Sequence, residues 1–480
     1  MTTTDDNARS TRRHFLASAA LGGGPLALAC FMAQQADADT KRPELQTRTF
    51  DLTPKKPPSK PRATAMISLF MQGGPSQMDL LDPKPLLNKL HMQKFPGEIK
   101  YDNAAQASSL VFGSPWKFKK YGEHGTDVSE LLPHFSTIVD DALVIRSMHS
   151  GVNNHGQAIY AINSGRPLAG RPSLGSWLTY ALGAESQSLP AYVAMTDPKG
   201  LPVAGVLNWS NGWLPSLFQG TVVRPIEPRI LNLQPPTQYN GEIQANYLQL
   251  LASINRRHAQ QRRGEHELQA RIANFELAER MQFAADEATD LSRESKATHE
   301  MYGLHQDETR EFGQRCLIAR RLIEPRRAFC DSSLLRISTG ITTGGIVSAL
   351  PAPVAKIDQP AAALVKDLKQ RGLLDSTIVH WGGEMGRLPV IQNEANIGRD
   401  HNTYGFTMWV AGGGFRAGMY GQTDEFGHRA VENTVNHFDY HATLLHLFGV
   451  DAQQLTYEQN GREQSLIDGQ PASVVEGLLA

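Results

Sequence analysis

Glu384, Asp400 and His401 stand close together in the sequence, and His155 ends a Met148-His-Ser-Gly-Val-Asn-Asn-His155 run with a second histidine and two asparagines. Carboxylates and imidazoles are the groups that exchange protons near neutrality, so these positions are the first candidates for chemistry. Arg387 follows Glu384 closely, where forked donors hold either an anionic substrate or a structural ion pair. Asp79 and Asp82 lie just beyond Gln72-Gly-Gly-Pro-Ser76 and add a third acidic position.

The elements around these residues predict that they meet. Ile378-Val-His-Trp381 is an apolar run stopping at Gly382-Gly383, which predicts a buried strand whose carboxyl end opens into a loop. Open α/β sheets bind ligands at that edge. Phe406 to Ala411 predicts a further strand, and a polar loop is expected between Arg387 and Gly398. Ala65 to Met71 predicts the first strand, whose Gly73-Gly74 turn would bring Asp79 to the same edge. Ala142 to Arg146 predicts a strand feeding the His149–His155 run. Gln157 to Asn163 predicts a short helix stopping at Ser164-Gly165, with His155 on its amino-terminal side, where free N–H groups favour an anion.

A formal net charge of −1 over 480 residues provides no basic surface for a phosphate backbone, so nucleic acid is not an expected partner. The length suits one large α/β domain or two ordinary ones. Of three cysteines, Cys30 falls in the leader, and Cys316 and Cys330 allow at most one disulfide, with no Cys-x-x-Cys metal pattern. Residues 1–38 read as a twin-arginine signal peptide: Thr11-Arg-Arg-His-Phe-Leu16, an alanine-rich apolar region, then Ala36-Asp-Ala38. An exported protein is expected, periplasmic or extracellular, and no later apolar run approaches the ~20 residues that span a bilayer.

Residues 39–64, rich in Pro, Lys and Thr, predict an extended linker. Ala191 to Met195 predicts another strand, followed by Asn208-Trp-Ser-Asn-Gly-Trp213. Those tryptophans serve either as a sugar-stacking platform or, the reading favoured here, as filling between layers. Residues 240–325 have the composition and spacing of a helical insertion. Residues 325–353 break the regularity, order returns with a helix from Asp358 to Leu368, and 456–480 read as a tail. His437, Asp439 and His441 open a helix whose apolar face favours a structural role.

Several motifs together resemble the alkaline phosphatase and sulfatase superfamily, and within it an exported sulfatase-like family catalogued as domain of unknown function 1501. They are Gln72-Gly-Gly-Pro-Ser-Gln-Met-Asp79, Asn154-His-Gly156, Asp358-Gln-Pro360, Gly382-Gly-Glu-Met-Gly-Arg387, Gly398-Arg-Asp-His-Asn402 and His437-Phe-Asp-Tyr-His441. The resemblance covers roughly residues 65–455. It implies an α/β, alkaline-phosphatase-like three-layer fold: a mostly parallel central sheet, helices on both faces and a helical insertion. It also implies a divalent metal, Zn²⁺, Mn²⁺ or Ca²⁺, with Asp79, Glu384, Asp400 and His401 as ligands or their supports. Glu384 matches the aspartate of the superfamily's Asp-His pair, Met385 stands where that histidine would be, and His401 matches a later histidine. Gln72 occupies the place of a metal-binding aspartate, and Asp79 either substitutes for it or, equally, caps a turn. Aligning Gly165-Arg166 with the family's Thr-Gly-Arg places His155 at the nucleophile's position.

Neither Cys316 nor Cys330 has the Cys-x-Pro-x-Arg context of a formylglycine sulfatase, so that mechanism is not expected. A Trp-Asp-x-His-like motif of the family is also absent before Asp358. With the irregular composition of 325–353, that absence suggests a local reading-frame disruption. The expected activity is metal-assisted hydrolysis of a sulfate or phosphate ester, small or carried on a polysaccharide, with His155 and Arg387 in catalytic roles. The alternative is a non-catalytic exported protein of the same fold that binds polysaccharide or an envelope partner. No Gly-x-Ser-x-Gly elbow supports a serine hydrolase.

Overall fold

A computed structural model describes residues 50–480 except 100–107, 199, 235, 237–238, 240, 263, 325–328, 332–334 and 337–344. By internal contacts the chain forms two units, Met1–Thr49 with Leu250–His266, and Phe50–Gln249 with Glu267–Ala480. The sheet and every site residue belong to the second. The expected signal peptide, residues 1–38, lies outside the described residues.

The sheet is built from β1 (Ala65–Gln72), β2 (Ala142–His149), β3 (Tyr192–Met195), β4 (Thr221–Val223), β5 (Phe329–Asp331), β6 (Leu335–Arg336), β7 (Thr377–Gly382), β10 (Phe406–Ala411), β11 (Gly418–Tyr420) and β12 (Val435–Asn436). A separate antiparallel pair, β8 (Gly386–Ile391) and β9 (Arg399–Asn402), lies between β7 and β10 in the chain. The order across the main sheet is β11-β2-β10-β7-β1-β5-β3-β4, with β12 beside β2 and β6 beside β1. Every pairing in it is parallel except those of β10, which runs antiparallel to β2 and β7. The expected mostly parallel sheet is therefore formed. All residues of β1, β7 and β10 are buried, as continuous apolar runs covered on both faces should be.

Helices α1 (His155–Ser164), α2 (Leu174–Leu182) and α7 (His437–Leu447) cover one face, where they enclose a cavity with Met66, Ser68, Phe70 and His380. The next residue of β7, Trp381, points to the other face and stacks on Trp409, which in turn meets Phe135. Helix α6 (Pro351–Gln370) anchors that side, its Asp358 accepting the N–H groups of His134 and Phe135. Burial raises the Asp358 carboxyl to about 6 against the pull of those two bonds. The insertion is helical as expected, with α3 (Glu242–Gln261), α4 (His266–Thr289) and α5 (Arg310–Ile323), the last packing on α6.

Three boundaries move. From residue 50 the supposed linker is fastened rather than free: Lys55 N–H bonds Leu182, Ser59 bonds Gly449, Arg62 and Ala63 bond Leu447, and Leu52 and Ala63 are buried. The tail likewise buries Leu466, Ile467 and Leu478, so both belong to the domain. Helix α6 starts at Pro351, seven residues before Asp358, because Pro at the first turn costs no hydrogen bond. Of the irregular segment, β5 and β6 are described, both parallel to β1, while most of the remainder to residue 344 lies outside the described residues.

Candidate functional site

Strands β1 and β7 run side by side and end in glycine turns that interlock. A side chain at Gly383 would lie 2.4 Å from the Met71 carbonyl oxygen, and one at Gly74, where φ is +71°, 2.7 Å from that of Met385. Only glycine permits this approach. It brings the Gly73 N–H to both carboxylate oxygens of Glu384, at 2.9 and 3.1 Å.

From Glu384 a chain of contacts leads outward. Its Oε1 lies 2.7 Å from Nδ1 of His155, the first residue of α1, whose amino terminus is capped by Asn154 accepting from Gln157 N–H. Nε2 of His155 lies 2.7 Å from Nε2 of His401, with the rings nearly perpendicular at 84°. Nδ1 of His401 lies 3.2 Å from Oδ1 of Asp400, which also accepts the His401 N–H at 2.8 Å. The imidazoles are 32% and 20% exposed while Glu384 and Asp400 are buried. Burial pushes the Asp400 carboxyl up, but the bonds from His401 and the nearby Arg387 charge outweigh it and hold the group below its ordinary range.

Acceptor oxygens at both Nδ1 positions put a proton on each Nδ1 and a lone pair on each Nε2. Two lone pairs cannot face each other at 2.7 Å unless something positive is shared between them. A proton fits that distance. The donor types also suit a divalent ion, because imidazoles backed by carboxylates are the usual arrangement around a bound metal. Asp400 Oδ2, buried and without a hydrogen-bond partner, is a further donor. A tetrahedral ion with metal–nitrogen distances of ~2.05 Å would need the nitrogens about 3.3 Å apart, so the rings would have to part by about half an ångström. Among the described residues no three His, Cys, Asp or Glu side chains are grouped closely enough to hold a metal. Glu384 and Asp400 thus orient the imidazoles rather than point at a common centre.

Two expected members are placed elsewhere. Asp79 forms a fully buried bidentate pair with Arg399, at 2.8 and 3.1 Å, and accepts from Ser76 Oγ; it holds β9 to the first turn and does not reach the histidines. Arg387 is buried beneath the site. Its fork donates to the carbonyls of Gly73, Gly74 and Arg399, so it braces the turn instead of facing an anionic ester. Burial lowers it to about 10 although Glu384 and Asp400 pull it up, which leaves it charged at neutral pH. Gln72, which was expected at the place of a metal-binding aspartate, accepts the Val203 N–H at 3.1 Å.

The β8–β9 pair sets Arg387 opposite His401 where a polar loop was expected. Pro389 argues against a strand, yet the register shifts between Arg387 and Ile391 and the proline is accommodated there. Gln77 was also missed: its amide binds Arg387 through both main-chain groups and reaches the Gly405 and Gly427 carbonyls. Nothing local in the sequence signals that role. Trp209 is buried and Trp213 lies against Arg171 at 4.7 Å, so the tryptophans fill and brace. His437 and His441 bind the carbonyls of Gly165 and Ile162 beneath α1, a structural role as favoured.

A protein-family model described as "Protein of unknown function (DUF1501)" matches residues 63–479. No curated protein matches the chain. Among solved structures, the chain is similar to the PsFucS1 sulfatase of Pseudoalteromonas sp. at 12% identity, covering 81% of this chain and 68% of that one with a TM-score of 0.32. It is also similar to an alkaline phosphatase superfamily protein of Vibrio parahaemolyticus, at 11% identity, 85% and 74% coverage and a TM-score of 0.32. The corresponding values for the lipoteichoic acid synthase LtaP of Listeria monocytogenes are 9%, 82%, 73% and 0.32. Likeness at this level assigns no activity, and the α/β class is read from the sheet itself.

Proposed function

The chain belongs to the DUF1501 family, and from its Glu384–His155–His401–Asp400 chain we propose that it hydrolyses sulfate or phosphate esters. The carrying observation is the pair of carboxylate-backed imidazoles whose Nε2 atoms meet at 2.7 Å on a solvent-facing sheet edge. The superfamily resemblance of the surrounding motifs supports the substrate class.

His155 is the more exposed imidazole, and Glu384 fixes its ring so that Nε2 can take a proton from an attacking water. As the water oxygen bonds to sulfur or phosphorus and the ester bond breaks, His401 supplies the pair's shared proton to the leaving oxygen. The next turnover starts with the proton taken by His155 now between the rings. Glu384, itself anchored by the Gly73 N–H, and Asp400 keep both rings in this tautomer throughout. In place of the shared proton, a divalent ion between the two Nε2 atoms would polarise the ester oxygen, with Asp400 and Glu384 backing the imidazoles rather than reaching the ion. Residues 1–38 support export by the twin-arginine machinery, so the reaction belongs outside the cytoplasm.

The test is turnover of a panel of sulfate and phosphate esters by the purified protein, with and without Zn²⁺, Mn²⁺ or Ca²⁺. Metal binding is read independently from thermal unfolding, where an ion at 100 times its Kd adds about 2.7 kcal/mol. Loss of turnover in His155→Ala and His401→Ala is expected. Full activity in the double variant overturns the reading.

A further inference from the structure

Residues 201–207, Leu-Pro-Val-Ala-Gly-Val-Leu, form a short loop and the start of a helical turn in which Leu201, Val203, Val206 and Leu207 are 51%, 41%, 54% and 38% exposed. Single exposed apolar side chains are ordinary, but four within seven residues make a patch that calls for an occupant. The loop is not slack. Asn208, buried, donates its amide to the Val203 and Gly205 carbonyls, both at 3.0 Å, and Ala204 is held in the left-handed region at φ 74°. That conformation costs an alanine free energy and persists only where neighbours impose it.

The loop is fastened to the end of β1, beside the turn that holds Glu384, and stands against the first turn of α1, which carries His155. Val203 N–H binds Gln72 at the end of β1, one residue before the N–H that holds Glu384. On the other side, a side chain at Gly156 would lie 3.5 Å from Val203 Cγ1, so the valine stands over the residue following His155. An apolar lip that begins at Val203 thus stands one residue from His155, where Gly156 carries no side chain to come between them. A sugar leaving group would present hydroxyls to these side chains with nothing on them to answer.

We propose that Leu201, Val203, Val206 and Leu207 bind the apolar leaving group, aryl or alkyl, of the ester cleaved at the imidazole pair. This rests on the hydrolase reading. The reacting bond sits at His155 and His401 while the departing alcohol lies along the lip, so the apolar group selects the substrate and the imidazoles act on it.

The experiment compares methyl, butyl, hexyl, phenyl and naphthyl esters of sulfate and phosphate by kcat/KM, in the wild-type protein and in Val203→Ser/Val206→Ser. Both side chains are exposed, and far-ultraviolet circular dichroism and Tm verify the fold. The wild type is expected to gain roughly twofold to fourfold per added methylene. The double variant is expected to flatten that slope. Equal kcat/KM across the series in the wild type, or an unchanged slope in the variant, overturns the lip assignment while leaving the hydrolase reading intact. If no ester is turned over, the hydrolase reading fails, and the lip is decided by naphthol binding measured calorimetrically. Binding weakened at least fivefold by the double substitution supports an apolar site. Absent or unaltered binding overturns it.

Discussion

Two helices of this protein begin in the same way and end up with opposite chemistry. Asn154-His155 and Asn436-His437 each place an asparagine cap and then a histidine at the amino terminus of a helix on one face of the sheet. His155 finds a carboxylate and a second imidazole at a partly exposed edge. His437 finds the Gly165 carbonyl in the interior, and burial, with the neighbouring His441, lowers it to about 3. The cap and the residue type are therefore silent about function; the partners of the ring nitrogens and access to water decide it.

The largest effect that tests this contrast is kinetic. His155→Ala should lower kcat/KM by about 10²–10⁴-fold, the usual range for a positioned acid–base group. His437→Ala should lower Tm and leave turnover of the folded protein intact. Comparable kinetic losses in both would erase the distinction between the two helix starts.

Next in size is the buried pair that carries β9 and hence His401. Removing one partner, as in Arg399→Met, should cost about 3–5 kcal/mol in urea unfolding, because Asp79 is left charged and unpaired. If Asp79→Asn/Arg399→Met recovers most of that loss, the pair is confirmed as structural support.

Acid tolerance separates the two regions by pH. Burial lowers His380 and His441 to about 4 and His437 to about 3, from an ordinary 6.5. Between pH ~4 and ~6.5 the unfolded chain takes up these protons and the folded chain does not, so stability rises with pH across that window. Asp358, raised by burial to about 6 from 3.8, acts in the opposite direction between those values. Three histidines against one carboxyl leave a net slope of stability rising with pH near pH 5, and the lowered His134, His149 and His428 act in the same direction. Chemical denaturation at pH 5 and pH 7 measures it, and His441→Gln should reduce it.

The smallest expected effect concerns Gln72. Gln72→Ala removes one bond to Val203 N–H and should cost about 1 kcal/mol in stability. An effect confined to apolar esters would tie Gln72 to the lip rather than to the imidazoles.

Much of the frame was legible because it is written locally. Continuous apolar runs ending in glycine announced β1, β7 and β10, and the Ser-Gly stop announced α1, which begins at His155 rather than at the expected Gln157. The Glu384–His401 corner followed from where those strands stop. What escaped depends on residues hundreds of positions apart: Asp79 meets Arg399, Gln77 meets Arg387, and no periodicity encodes either choice. Arg387 looked like an anion clamp for the same reason. Its type was visible, but the three carbonyls that occupy it belong to turns brought together only by the fold.

One fastening has a practical consequence. Arg62 donates to an oxygen of Ala480 at 2.5 Å, and the Ala480 N–H donates to Gly414 at 3.0 Å, so residue 480 lies beside the stretch that leads into β1. A short glycine-serine bridge could join them, and the chain could be reopened at an exposed surface turn such as Gly461. Such a circular permutant should keep the imidazole pair assembled while freeing the amino-terminal stretch from its covalent link to the domain.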